Sequence, residues 1–172
     1  MKYLFLDIDG VLNHEDWYVH KLDPAVRAAF TEFWQDCFDP DCVKRVNEIL
    51  EATGASLVVS SSWKIDKRLG DYFAKVGLPT EFLVTPNIHR NDEFGMPVWV
   101  DRGEEVEAFL KDHPCDTYVI LDDDTDFLED QMPHFVHCCP IFVEAYKEGH
   151  PGETGLTERK KLEAIKILND LE

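Results

Sequence analysis

An α/β fold is predicted, with a parallel or mostly parallel central sheet and helices on both of its faces. Three observations predict it. Short apolar runs alternate with helical patterns along the 172 residues, three of those runs stop abruptly at polar residues, and the length suits a single domain with a full core. In sheets of this kind ligands gather beyond the carboxyl ends of the strands, so polar residues at those ends are the first candidates for chemistry.

The first run, Tyr3 to Leu6, is short, β-favouring and apolar, and it discharges into Asp7, Asp9, Gly10 and Asn13. Side chains two apart on an extended chain point the same way, so Asp7 and Asp9 can face one reacting group. The segment 13–38 that follows is rich in aromatics, among them Trp17, Tyr18, Phe30, Phe33 and Trp34. A helical excursion is expected where Pro24 leads into Val26, Phe30, Phe33 and Trp34. Asp39 and Pro40 then cap and start a clearer helix, with Val43, Val46, Ile49 and Leu50 on one face and Gly54 at its end.

Ala55 to Val59 is the second buried strand and ends in Ser60, Ser61, Ser62, Trp63 and Lys64. A one-residue slip turns a strand side chain to the other face, so counting leaves both Ser60 and Ser61 as candidates to point into a site. Asp66 suits a cap for the helix carrying Leu69, Phe73 and Val76, closed by Gly77, and Phe82 to Val84 forms the next short strand. Residues 85–101 hold two prolines, Gly95 and no clear period, and are expected to be mostly loop. Arg102 opens a helix with Val106, Phe109 and Leu110 on its sheet-facing side.

Thr117 to Leu121 repeats the plan of the first strand and ends in Asp122, Asp123 and Asp124. A calcium loop is a poor match there, because Phe127 stands where its glycine is needed and Pro133 where its final Glu is needed. Phe135 to Cys138 reads as the last strand, which also accounts for His134, His137, Cys138 and Cys139 better than a zinc site does. Thr157 caps the closing helix with Leu162, Ile165, Ile167 and Leu168.

Composition narrows the classes of function. The chain is 44% hydrophobic and 30% charged, as in soluble globular proteins, and no apolar run reaches the roughly 20 residues of a membrane span. A formal charge of −18 opposes a broad surface that tracks nucleic-acid phosphates, while leaving open a grip on one end through a local basic patch and a metal. The five cysteines, Cys37, Cys42, Cys115, Cys138 and Cys139, form no Cys-x-x-Cys pair, and reduced thiols fit an intracellular chain. Met1 leads directly into the first strand without the pattern of a signal peptide, so a cytoplasmic location is expected.

Asp7-Ile8-Asp9-Gly10-Val11, Ser60, Arg102 and Asp122-Asp123 resemble, in order, the four signatures of the haloacid dehalogenase (HAD) superfamily of phosphohydrolases. With Ser-Ser-Trp-Lys, Leu-Asp-Asp and the late Gly-Leu-Thr, the chain looks most like the HAD domains of Swiss Army Knife RNA repair proteins. The resemblance implies a three-layer α/β/α, Rossmann-like fold with only a small cap or flap at 13–38. It implies catalytic roles for Asp7 as nucleophile, Asp9 as acid and base, and Ser60 and Arg102 on the phosphoryl oxygens, with Ser61 and Lys64 as the competing phosphate ligands. It also implies a magnesium ion (Mg2+) held by Asp7, Asp9, Asp122 and Asp123, since crowded carboxylates need a compensating cation. The expected activity is phosphomonoester hydrolysis through an aspartyl-phosphate, on RNA or DNA ends or on a small nucleotide or sugar phosphate. A binding or regulatory module on the same fold is the reading outside enzymology.

Overall fold

The computed structural model describes residues 1–25, 38–139, 147–149 and 153–169. Of the segment expected to form a flap, residues 13–25 and Phe38 are described. The helix expected from Val26 to Trp34 lies outside the described residues.

The central sheet has five strands: β1 (Lys2–Leu6), β2 (Ser56–Val59), β3 (Leu83–Val84), β6 (Thr117–Asp122) and β7 (Phe135–His137), in the order β3-β2-β1-β6-β7. Every neighbouring pair is parallel. Parallel neighbours need crossovers, and these are supplied by α1 (Pro40–Thr53), α2 (Leu69–Val76) and α3 (Arg102–Asp112); α4 (Glu158–Leu168) closes the fold against α1. The chain steps outward from β1 to β3 on one side, then crosses back to lay β6 on the other side of β1. That reversal puts the topological switch point at the carboxyl end of β1, as in other open α/β sheets that bind ligands there.

Strand alternation divides the core into two layers. Leu4, Leu6, Leu57, Val59, Val119 and Leu121 point to one face and pack with residues of α1, α2 and α4, including Val46, Ile49, Phe73, Ala164 and Leu168. Tyr3, Phe5, Val58 and Ile120 point to the other and pack under Val106 and Phe109 of α3. Leu6 is fully buried, and truncating such a residue to alanine typically costs about 2–5 kcal/mol.

Asp39 caps α1 by accepting from the Asp41 N–H, with Pro40 in the first turn and Gly54 left-handed at the end. The same carboxylate binds the buried His14 Nε2 at 2.8 Å, while Asp39 N donates to Leu12 O at 2.6 Å. The two ends of the 15–38 segment are therefore joined at its base. A π-helical turn, Asp16–Lys21, begins that segment.

Residues 85–101 are mostly loop, as expected, with one addition. They contain an antiparallel hairpin, β4 (His89–Asn91) and β5 (Pro97–Trp99), closed by a turn in which Asp92 Oδ1 accepts from the N–H groups of Phe94 and Met96. Three-residue strands exposed on both faces have no hydrophobic alternation to read. The hairpin is rooted on the first turn of α3, where Ile88 N donates to Glu105 Oε1 and Arg90 pairs with Glu104.

Candidate active site at the carboxyl ends of the strands

The sheet ladder runs one residue beyond several strands. Asp7 N donates to Leu121 O, Ser60 N to Leu6 O, and Thr85 N to Val59 O. Because Leu6 is in register with Val59 and Leu121, and Val59 with Val84, the next residues form one row: Thr85, Ser60, Asp7 and Asp122. His137 continues it beside Asp122. Apolar sequence thus gives way to polar sequence at one level across the sheet. Asp7 and Asp122 continue the side of Phe5 and Ile120, which is the side covered by α3.

Arg102, the first residue of α3, reaches this row. Its Nη1 donates to Asp7 Oδ1 at 2.6 Å and to Asp122 Oδ2 at 3.1 Å, and Nη2 lies 3.8 Å from Asp124. Burial works against its charge, yet Asp7 and Asp122 hold the guanidinium firmly protonated. Burial likewise raises the Asp7 carboxyl above its ordinary range, with Arg102 opposing that shift. Its second oxygen, Oδ2, is buried without a hydrogen-bond partner, and so is Ser60 Oγ. Unpartnered buried polar atoms are rare, and these two belong to neighbouring residues of the row, which leaves both with capacity for a group from outside the protein.

Asp123 completes an acidic cluster, with one carboxylate oxygen each from Asp7, Asp122 and Asp123 within 4.8 Å of one another. Burial and the charge of Asp7 push Asp122 up to about 8 and Asp123 up to about 7. Carboxyls that resist ionisation even with Arg102 beside them fit a hard divalent cation such as magnesium. Gly10 makes room for the cluster: its φ is +73°, and a Cβ there would lie 2.4 Å from Asp123 Cγ. Only glycine meets both demands without strain.

Asp9 stands apart from this buried group. It is exposed, and both carboxylate oxygens are engaged, Oδ1 by Asn13 Nδ2 at 2.7 Å and Oδ2 by Trp63 Nε1 at 2.8 Å. The Asn13 side chain also accepts from Gly10 N, which closes the turn after β1. The indole of Trp63 is itself packed between Phe38 and Tyr72.

The other anticipated phosphate ligands, Ser61 and Lys64, lie close to this group, where the Ser61 hydroxyl favours the ionised Asp7 and both side chains have structural partners. Ser61 is buried and caps the short 3-10 turn Ser62–Ile65 by accepting from Trp63 N. Lys64 borders the same cavity as Ser60 and Arg102, and its ammonium is engaged there: Nζ binds Glu105 Oε2 at 2.5 Å, Thr85 Oγ1 at 2.9 Å and Pro86 O at 3.3 Å. Burial holds the pKa of Lys64 below its usual value, with Glu105 opposing. Glu105, Thr85 and Trp63 carry no site role in the reading from sequence. An acid in the first turn of a helix normally serves the helix dipole, and nothing local shows that Glu105 is buried against a lysine.

The anticipated zinc alternative also meets a structural use. His137 lies in β7, its Nε2 bonded to Asp123 O and its Nδ1 paired with Glu148, while His134 Nδ1 binds Tyr118 O. With Cys139, His137 and Glu148 still form a compact group of possible ligands. Among the described residues Cys42, Cys115 and Cys138 are free thiols.

A parallel sheet with two aspartates at the end of its central strand, a hydroxyl at the next strand end and acids on the other side defines the HAD class of α/β domains. The family described as the HAD domain in Swiss Army Knife RNA repair proteins matches residues 3–141, and the chain belongs to that family. No curated protein matches it. Among the described residues, no helix is long and apolar enough to cross a membrane.

Proposed function

We propose that the chain is a magnesium-dependent phosphomonoester hydrolase that works through an aspartyl-phosphate on Asp7. The observation that carries this reading is the pair of orphaned atoms, Asp7 Oδ2 and Ser60 Oγ, on neighbouring residues of the row at the switch point while Arg102 holds the other Asp7 oxygen.

In the first step Asp7 Oδ2 attacks phosphorus and the ester P–O bond breaks. Asp9, as general acid, delivers a proton to the departing alkoxide. In the second, Asp9 takes a proton from water as that water attacks phosphorus, which releases inorganic phosphate and frees Asp7. The exposure of Asp9 suits this double role, since the leaving alcohol and the incoming water both come from the solvent side. Ser60 Oγ and Arg102 donate to phosphoryl oxygens whose charge grows in the transition state. Asp7, Asp122, Asp123 and the backbone carbonyl of Asp9 would hold magnesium, which supplies positive charge for the phosphoryl group and for the acidic cluster.

The substrate class proposed with it is a terminal phosphate of nucleic acid, following the RNA repair setting in the family description. A cytoplasmic location agrees with the free thiols.

The experiment is phosphate release by purified protein with magnesium, from oligonucleotides bearing 3′- or 5′-phosphates and from small phosphate esters. Release that stops with EDTA and with Asp7→Asn is the expected result. A folded protein that binds magnesium and releases phosphate from none of them would instead be a binding module.

A further inference from the structure

A cavity of about 260 Å³ opens directly over Ser60 and Arg102. Its floor is polar and closed: Ser60 is 3% exposed and Glu105 6%. Its rim is apolar and open, with Ile65 66% exposed and Trp99 60%. A phosphate-sized polar floor beneath an exposed indole is chemistry for an ester whose alcohol carries a flat ring.

Trp99 is also held in place relative to that floor. It sits opposite His89 across the hairpin, the two rings 3.8 Å apart between centroids. The hairpin is fastened through Ile88 N to Glu105 and through Arg90 to Glu104, both in the helical turn that Arg102 begins. The indole and the phosphate-facing guanidinium therefore share one support.

The charges around the mouth limit how much more of a substrate is gripped. Among Lys64, Lys67, Arg68, Arg90 and Arg102, the basic residues from which a local patch would be drawn, Lys64 pairs with Glu105, Arg68 with Asp66, Arg90 with Glu104, and Arg102 with Asp7 and Asp122. Of these five, Lys67 is the one without an ion pair among the described residues. A surface that follows a polyanion needs unspent cations in a row. Here the available energy lies in stacking, which every base can provide.

We propose that this site, on its reading as a phosphatase, recognises a single nucleoside unit beside the phosphate: the base stacks on Trp99 and the strand beyond that unit contributes nothing. A free mononucleotide and the last nucleotide of a strand present the same chemistry to it.

The test compares kcat/KM for adenosine 3′- and 5′-monophosphate, ribose 5-phosphate and a ten-nucleotide strand bearing the preferred terminal phosphate, at 50 and 200 mM salt. For the wild type the preferred mononucleotide outruns ribose 5-phosphate, that advantage falls about five- to a hundred-fold in Trp99→Ala, and Trp99→Phe keeps most of it. The strand and the mononucleotide agree within about threefold and share one shallow salt slope, because one phosphate group is gripped in both. An advantage untouched by Trp99→Ala overturns the stacking role. A strand favoured more than about tenfold, with a steeper slope than the mononucleotide, overturns the single-unit limit. If the wild type releases phosphate from none of them, the hydrolase reading falls, and calorimetric binding of the mononucleotides decides the inference separately. Affinity lost in Trp99→Ala then supports it, and affinity unchanged or absent in the wild type overturns it.

Discussion

Arg102 Nη1 lies 2.6 Å from Asp7 Oδ1 and 3.1 Å from Asp122 Oδ2, so one guanidinium joins the carboxyl ends of the two strands flanking the switch point. The contact fixes one oxygen of Asp7 and leaves the other pointing into the site without a partner. Orientation of this kind is set before any substrate arrives.

Arg102→Ala removes the clamp and, on the phosphatase reading proposed above, a donor to the phosphoryl group. Turnover is expected to fall by about 10²- to 10³-fold, the usual cost of losing one such donor. Arg102→Lys recovers only part of it, because a single ammonium cannot match the planar fork that meets two carboxylates. Steady-state kinetics of the two variants against the wild type is the measurement, and equal rates for all three would remove Arg102 from the mechanism.

Magnesium should stabilise the fold most at alkaline pH. Asp122 and Asp123 are raised to about 8 and about 7, so the folded protein holds their protons more tightly than the unfolded chain does. Without metal, the stability these two carboxyls contribute is therefore fully present below their ordinary pKa of 3.8 and is lost as pH rises toward 8. A cation reverses that loss. Melting temperatures with EDTA and with magnesium should diverge from pH 5 to pH 8, by about twofold or more in the size of the shift. A shift that shrinks over this range would contradict the acidic cluster as the metal site.

Gly10→Ala tests the packing of that cluster. The new Cβ would lie 2.4 Å from Asp123 Cγ at a φ of +73°, so Asp123 must move. Magnesium affinity by calorimetry is expected to drop about ten- to a hundred-fold, as when the support of a metal ligand is removed. Far-ultraviolet circular dichroism should stay close to the wild type.

The Lys64–Glu105 pair is expected to behave as structure. Both side chains are nearly buried, at 5% and 8% exposed. Glu105→Ala leaves an uncompensated buried ammonium and should cost about 3–5 kcal/mol in urea unfolding. Lys64→Met combined with Glu105→Leu should recover most of that loss, since two apolar groups replace the pair without stranding a charge. A double variant as unstable as Glu105→Ala would show that the pair contributes more than its mutual neutralisation.

The framework of the fold was legible because its strands are apolar runs that stop at polar residues, and that pattern depends on the sheet alone. Tyr3 to Leu6 and Thr117 to Leu121 are buried on both faces, which forces continuous apolar sequence, and the helix after Asp39 carries its own cap and closing glycine. The hairpin that brings Trp99 to the cavity was not legible. Its short exposed strands bury too little to impose a period, and it is held by Glu104 and Glu105, residues that sequence places merely at a helix start.

By itself, the sequence determined which residues end the strands, because burial dictates where apolar side chains must stop. Asp7, Ser60 and Asp122 follow from that rule. Only the tertiary structure decided how those ends combine: register set them in one row, the covering helix brought Arg102 onto Asp7, and the buried Glu105 engaged Lys64. Register and ion pairing are contests among distant segments, settled by which charges packing brings together, and no local pattern of residues carries that outcome.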